Sequence, residues 1–358
     1  MLHEKNISAL LSIHQIYHEP DIWQYPRAAE IRAKYPNAEL IEVPAHNQIP
    51  ELFGFEGSVK DWLWNKKNVL ILGVKKALSA RRNERSSHWV APSHSNGCTM
   101  SCSYCYVPRR KGYANPITTF VNIEKIMGYL SRHATRQGPK LTEDLIDPSH
   151  WVYEIGENGD CSVDAAICNN VKDLIGLYAE LPNAKLSFAT KFINREMLDY
   201  NPKEKTRIRF SLMPHGISKL VDVRTTPISD RIAAMNDFRR AGYEVNVSFA
   251  PVIYYPGWLD DWRKLFDEMN QVLDEETKAG LWTEIIFLTH NEPLHEVNLL
   301  WHPKAEEILW TPEVQQVKYS QTGQRNVRYK NNLKREIVNE LVALCHKMIP
   351  YCKIRYAF

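Results

Sequence analysis

The sequence predicts an α/β protein: a partial (β/α)6 barrel of the TIM type, with a small N-terminal α/β extension and a C-terminal β-hairpin plus helix. Three observations predict it. Short apolar strands and amphipathic helical stretches alternate about six times in succession, the rhythm of parallel βα units. Right-handed crossovers between such strands close toward a barrel whose reactive centre lies at the strands' C-terminal ends. No internal repeat, low-complexity tract or Gly/Ser linker offers a place to cut the chain into independent units. The expected division is 1–85 for the extension, 86–300 for the barrel and 301–358 for the hairpin and helix.

Taken in order, 13–48 mixes short apolar stretches with the helical pattern "YPRAAEIRAKYP", and "NVLILGVKKAL" follows as a buried strand. The barrel then reads "HWVAPSHS" (strand), "VNIEKIMGYLSRHA" (helix), "HWVYEIG" (strand) and "AICNNVKDLIGLYAEL" (helix). It continues through "AKLSFATK" (strand), "REMLDYN" (short helix), "TRIRFSLM" (strand) and "SDRIAAMNDFRRAG" (helix). The last pair is "YEVNVSFAPVI" and "WLDDWRKLFDEMNQVLDEE", before the strand "WTEIIFLTH". Residues 317–335, "VKYSQTGQRNVRYKNNLKR", alternate around a Gly-containing turn as a hairpin does.

With 44% hydrophobic and 24% charged residues over 358 positions, the composition is that of an ordinary soluble protein with a large core. Apolar runs are too short to span a bilayer, and "MLHEKNISALLSIHQ" lacks a signal peptide's basic start and apolar core. A cytoplasmic protein without a membrane partner is expected. The net charge of +3 means that a nucleic-acid partner has to be met by a local basic patch.

Seven cysteines, an odd number, make a poor disulfide framework, and three of them crowd into "CTMSCSYC". Cys98, Cys102 and Cys105 follow C-x3-C-x2-C, which sets three thiolates on one loop, enough for three irons of a cubane cluster. The open fourth iron can chelate S-adenosylmethionine and pass an electron to its sulfonium, releasing a 5′-deoxyadenosyl radical. This is the radical-SAM signature, and Tyr104 stands where such loops carry an aromatic that packs on adenine. The competing reading is a zinc site completed by His88 or His94.

Beyond that loop, "YHEPDIWQYPRAAEI", "AHNQIP", "LILGVKKAL", "FATK", "RIRFSLM", "AGYEVNVSFAPVIYYPGW" and "KYSQTGQRNVRY" are similar, in order and interval, to stretches of spore photoproduct lyases. The chain resembles that family over nearly its whole length. The resemblance implies a [4Fe-4S] cluster and S-adenosylmethionine on a radical-SAM partial barrel, splitting a methylene-bridged thymine dimer in DNA. It further implies a monomer served by an electron donor such as flavodoxin or ferredoxin. Carried over, Cys98, Cys102 and Cys105 hold the cluster, and Tyr104 and Tyr106 serve S-adenosylmethionine binding and radical transfer. Lys191, Ser211 and Ala250 match positions that touch S-adenosylmethionine.

Two departures stand out. Where family lyases have a hydrogen-donating cysteine after the second barrel strand, the register from "WVYE" to "FATK" places Glu157. Cys161, four residues on, is the alternative donor, while Glu154 or Glu157 could bind the amino group of S-adenosylmethionine. A radical-SAM enzyme acting on a different nucleic-acid lesion, a nucleotide or a peptide is the second reading. The hairpin carries Lys318, Arg325, Arg328, Lys330, Lys334 and Arg335 with Tyr319 and Tyr329 interleaved, a pattern suited to phosphates and bases. At its tip, Gln321 and Thr322 replace the arginine-and-aromatic type of the lyase wedge. Tyr254, Tyr255 and Trp258 could line a base pocket. His46 and Asn47 recur in the family without an assignable chemistry, and Cys168, Cys345 and Cys352 read as structural.

Overall fold

The computed structural model describes residues 7, 9–53, 57–107, 112–319, 323 and 325–358. Its strands are β1 (Gln15–His18), β2 (Glu39–Glu42), β3 (Val69–Gly73), β4 (Arg81–Arg82), β5 (Trp89–Val90), β6 (Ser95–Asn96), β7 (Ile117–Phe120) and β8 (Trp151–Glu154). They continue with β9 (Ala184–Thr190), β10 (Thr206–Leu212), β11 (Glu244–Val252), β12 (Trp282–Phe287), β13 (Thr289–His290), β14 (Gln315–Tyr319), β15 (Arg325–Tyr329) and β16 (Lys353–Ala357). An eight-stranded sheet runs β16-β12-β11-β10-β9-β8-β5-β4 and is parallel except for the pair β4–β5. This is the partial barrel, with its helices packed on the outer face.

A five-stranded sheet, β2-β1-β3-β7-β6, lies beside it, and a three-stranded one, β13-β15-β14, forms the hairpin unit. The five-stranded sheet takes β6 and β7 from beyond residue 85, and the barrel sheet ends on β16 near the C-terminus. Strand pairing therefore crosses both expected boundaries. The expected hairpin is shorter than its sequence pattern: residues 331–335 belong to the helix Asn331–Met348. Ile337, Leu341, Leu344 and Cys345 supply that helix's buried stripe at helical spacing, which outweighs the local alternation. The "HNQ" stretch proves structural: the His46 ring lies 2.9 Å from Glu19, which also accepts the Val74 amide at 2.7 Å. A Cβ on Gly73 would come within 2.8 Å of that ring, so the β1 and β3 ends are latched through a glycine.

The barrel strands alternate polar and apolar residues, yet both faces are buried. On β10, Ile208, Phe210 and Leu212 join the main apolar core under the helices, whereas Arg207 and Arg209 find charged partners on the other face. These partners form two layers. Arg207 donates to Glu244 at 2.5 Å and to Asp147 at 3.1 Å, and Lys185 bridges the same two carboxylates at 2.9 and 3.1 Å. One layer up, Arg209 pairs with Glu154 and, at 3.0 Å, with Glu284, which also receives Arg355 at 3.0 Å.

Burial alone would raise the Glu244 pKa, but Arg207 and Lys185 outweigh it and hold the group down to about 2. An acid held below its ordinary value of 4.5 adds stability above that pH and loses it on acidification toward 2. The unfolding free energy is expected to fall over this range by about 3 kcal/mol for this group alone. Urea denaturation at stepped pH would give a shallower fall for Glu244→Gln.

Candidate active site

The cysteine loop is built by local constraints at the barrel's C-terminal mouth. Gly97 holds φ +94°, and an added Cβ would lie 2.4 Å from the Pro116 carbonyl, so a side chain is excluded there. Its amide donates to Asn158 at 2.8 Å, tying the loop to the segment after β8. The Ser101 and Ser103 amides donate to Val223 and Val221 at 3.2 and 3.0 Å, and Thr99 Oγ1 donates to Leu10 at 2.7 Å. Thus anchored, Cys98, Cys102 and Cys105 face one cavity of about 250 Å³, shared with Tyr104, Tyr106, Glu157, Asp160, Lys191 and Ser211.

Burial pushes all three thiols up, Cys98 to about 12 and Cys102 well above the ordinary range, with Asp160 and Asp222 adding to the effect. Such thiols ionise against nearby positive charge, which bound iron would supply. The donor set fits a cluster with one open iron. Neither histidine of the zinc alternative lines the cavity. His88 spends Nδ1 on the Val152 amide and Nε2 on Asp144, both at 2.9 Å, and His94 lies 3.2 Å from Asp164 in the core.

Two buried aspartates that the sequence reading missed hold the opposite wall. Asp222 accepts from the Tyr104 hydroxyl and, at 3.1 Å, from both terminal nitrogens of Arg231. Burial raises its pKa, but Lys191 and Arg231 outweigh it and keep the carboxylate ionised. Lys191 Nζ lies 3.6 Å from Asp222, donates to the Ala250 carbonyl at 3.2 Å and sits 5.5 Å from the Tyr104 ring centre. Asp160 caps the short helix Cys161–Asp164 and accepts from Thr190 Oγ1 at 2.8 Å and the Lys191 amide at 2.9 Å. Burial moves its pKa up to about 6 against those bonds. An Asp ahead of "CSVD" is an N-cap signal, whereas nothing local marks Asp222.

A family model for spore photoproduct lyase matches residues 12–358. The chain belongs to the spore photoproduct lyase family. It is accordingly a radical S-adenosylmethionine lyase with a [4Fe-4S] cluster. Spore photoproduct lyase of Bacillus subtilis is 26% identical over 344 residues, covering 95% of this chain and 97% of that protein. The Geobacillus enzyme is 23% identical over the same shares. A solved structure of spore photoproduct lyase complexed with dinucleoside spore photoproduct aligns with TM-score 0.87 at 22% identity, over 97% of this chain and 99% of that one. Another, with bound AdoMet and the same dinucleoside, aligns with TM-score 0.86 at 21% identity over the same shares.

Within this family frame the expected residues divide. Tyr106, 44% exposed, donates its hydroxyl to the Glu157 carbonyl at the cavity rim, where Arg81 reaches the Glu157 carboxylate at 2.5 Å. Glu154 does not reach the cavity, because its carboxylate is committed to Arg209; burial first, against that partner, raises its pKa to about 7. Cys161 is fully buried in the core, its sulfur 3.1 Å from where a Gly156 Cβ would stand, and so is screened from the cavity. Trp258 and Tyr329 are likewise core rather than base pocket, at 5% and 2% exposed. Tyr329 accepts the Tyr254 amide at 2.8 Å, locking the hairpin to the end of β11.

Tyr254 and Tyr255 remain half-buried, while Lys318, Tyr319 and Arg325 are exposed and Arg328 is half-buried. Arg325 pairs with Glu292, Lys330 donates to the Glu313 carbonyl at 2.6 Å, and Lys334 lies over Phe358. The tip residues Gln321 and Thr322 lie outside the described residues.

Asp160→Ala is expected to destabilise the fold by about 2–3 kcal/mol, since it strands a helix cap and two buried donors. Chemical denaturation measures this, and Asp160→Asn should recover part of the loss.

Proposed function

We propose that the protein repairs DNA by splitting a spore-type thymine photoproduct, with Cys98, Cys102 and Cys105 as cluster ligands. The observation that carries this is the convergence of the three sulfurs, Lys191 and Tyr104 on a single cavity at the barrel mouth. When bound, the cluster and S-adenosylmethionine supply a 5′-deoxyadenosyl radical. Lys191 and Ser211 offer an ammonium and a hydroxyl to the cofactor's carboxylate and ribose, and the Ala250 carbonyl holds the Lys191 head in place. Glu157 is the half-buried carboxylate on the cavity wall for its amino group, while the Asp160 oxygens are taken by the helix cap, the Thr190 hydroxyl and the Lys191 amide. Tyr104, pinned through its hydroxyl by Asp222, holds its ring in the cavity wall as the aromatic for adenine.

A lesion must leave the stack to reach this depth, and a dimer already weakens its own pairing. Tyr254, Tyr255 and Tyr319 supply stacking faces, and Lys318, Arg325 and Arg328 supply phosphate contacts. Tyr106 sets its hydroxyl at the cavity rim, where it serves radical transfer. Among the described residues no helix is long and apolar enough to cross a membrane. A cytoplasmic monomer fed by a flavodoxin- or ferredoxin-type donor completes the reading.

The paired charges of Glu157 and Arg81 on the rim favour a second reading, a different lesion or nucleotide as substrate. The deciding assay is anaerobic reconstitution with S-adenosylmethionine, dithionite and irradiated DNA, with 5′-deoxyadenosine and repaired thymine quantified by mass spectrometry. Both products are expected, and both vanish in Cys102→Ala. Tyr106→Phe should lose repair while still cleaving S-adenosylmethionine, whereas Cys161→Ala, screened by Gly156, should keep repair within about threefold. Deoxyadenosine from the parent enzyme without repaired thymine would give the second reading its support.

A further inference from the structure

The helix Val59–Asn68 starts from a Ser58–Asp61 capping box and ends against the cysteine loop. Lys66, in its last turn, is 1% exposed. Its Nζ donates to the Cys98 carbonyl at 3.0 Å. Among the described residues no carboxylate lies within the 4.0 Å of an ion pair to it. An ammonium buried this deeply keeps its charge only where an anion lies close to it, and the cysteine loop is the group its head faces. The same cysteines that face the main cavity also line a small cleft behind the loop, together with Lys66, Asn298 and His302. The three cysteines are thus shared by two cavities, one lined by Lys191 and the other by Lys66.

A cluster held by three thiolates is anionic, and one-electron reduction by an external donor makes it more so. We propose that Lys66 is the cluster's built-in counter-ion, stabilising the reduced form and so setting the potential at which the enzyme accepts its electron. The inference rests on the assignment of the cluster to Cys98, Cys102 and Cys105. Lys66 acts through the cluster and touches neither cofactor carboxylate nor substrate, which makes it a positioning residue. A hydrogen-bond staple for the loop would need only the carbonyl contact; a counter-ion needs the charge.

The test compares Lys66→Met and Lys66→Arg with the parent chain, each reconstituted anaerobically, by a redox titration followed by electron paramagnetic resonance. Lys66→Met should shift the midpoint to lower potential. At a fixed potential its oxidised-to-reduced ratio should rise at least about tenfold, about 59 mV for a one-electron couple, with Lys66→Arg staying near the parent. Thermal unfolding adds a sign that a staple cannot reproduce. The apoprotein of Lys66→Met should be as stable as the parent or more so, while its gain in stability on cluster loading should shrink. A cluster that no longer loads into a stable Lys66→Met apoprotein would also bear the proposal out. An unchanged midpoint, or an apoprotein destabilised as much as the loaded form, would overturn it. Failure of the parent chain itself to take up iron and sulfide would instead overturn the cluster assignment beneath it.

Discussion

The ionic ladder inside the half-barrel is the constraint on which the rest depends. The eight-stranded sheet, parallel except for the pair β4–β5, does not close, and its inner face is lined with buried charged side chains. Here it is filled by Arg207 and Arg209 of one strand, each held between carboxylates of its neighbours. Removing any one member would leave its partners charged and buried, at a cost in stability. With Glu154 and Glu284 spent on Arg209, the layer above carries Lys191 and Ser211, which line the cavity, and Ala250, whose carbonyl accepts from Lys191.

Above the ladder, two aspartates convert backbone geometry into a shaped cavity. Asp160 joins the loop after β8 to the end of β9 by accepting from both, and Asp222 joins the cysteine loop to the helix Ile228–Arg240 through Tyr104 and Arg231. Neither needs to touch a reacting atom to matter. Each fixes a neighbour whose position decides what the cavity can bind, the support that a preorganised site requires. The N-terminal sheet takes part in the same way, since its helix Val59–Asn68 delivers Lys66 to the back of the cysteine loop.

Much of the fold was legible because it rests on local periodicity. The strands around "SFATK", "RIRFSLM" and "VNVSFAPV" and the helices between them follow from alternation and from apolar spacing. The strand β16 was missed because Lys353 and Arg355 interrupt its apolar run, and only its pairing with β12 makes it a strand. The hairpin was overextended for the converse reason, a local alternation that the packing of Ile337 and Leu341 overruled.

By itself the sequence marked the cysteine loop, since three sulfurs at C-x3-C-x2-C spacing need no distant residue to be brought together. It also determined the family, the parallel half-barrel and the lysine and serine at the strand ends. Only tertiary structure decided which of the remaining groups face the cavity. Glu154 and Cys161 sit a few residues from the mouth yet turn away, one drawn to Arg209 and the other packed beneath Gly156. Asp222 and Lys66 reach the cysteine loop from distant segments of the chain. The reason is that burial and charge pairing act through space, and a one-residue change of direction on a strand exchanges a cofactor contact for a core contact.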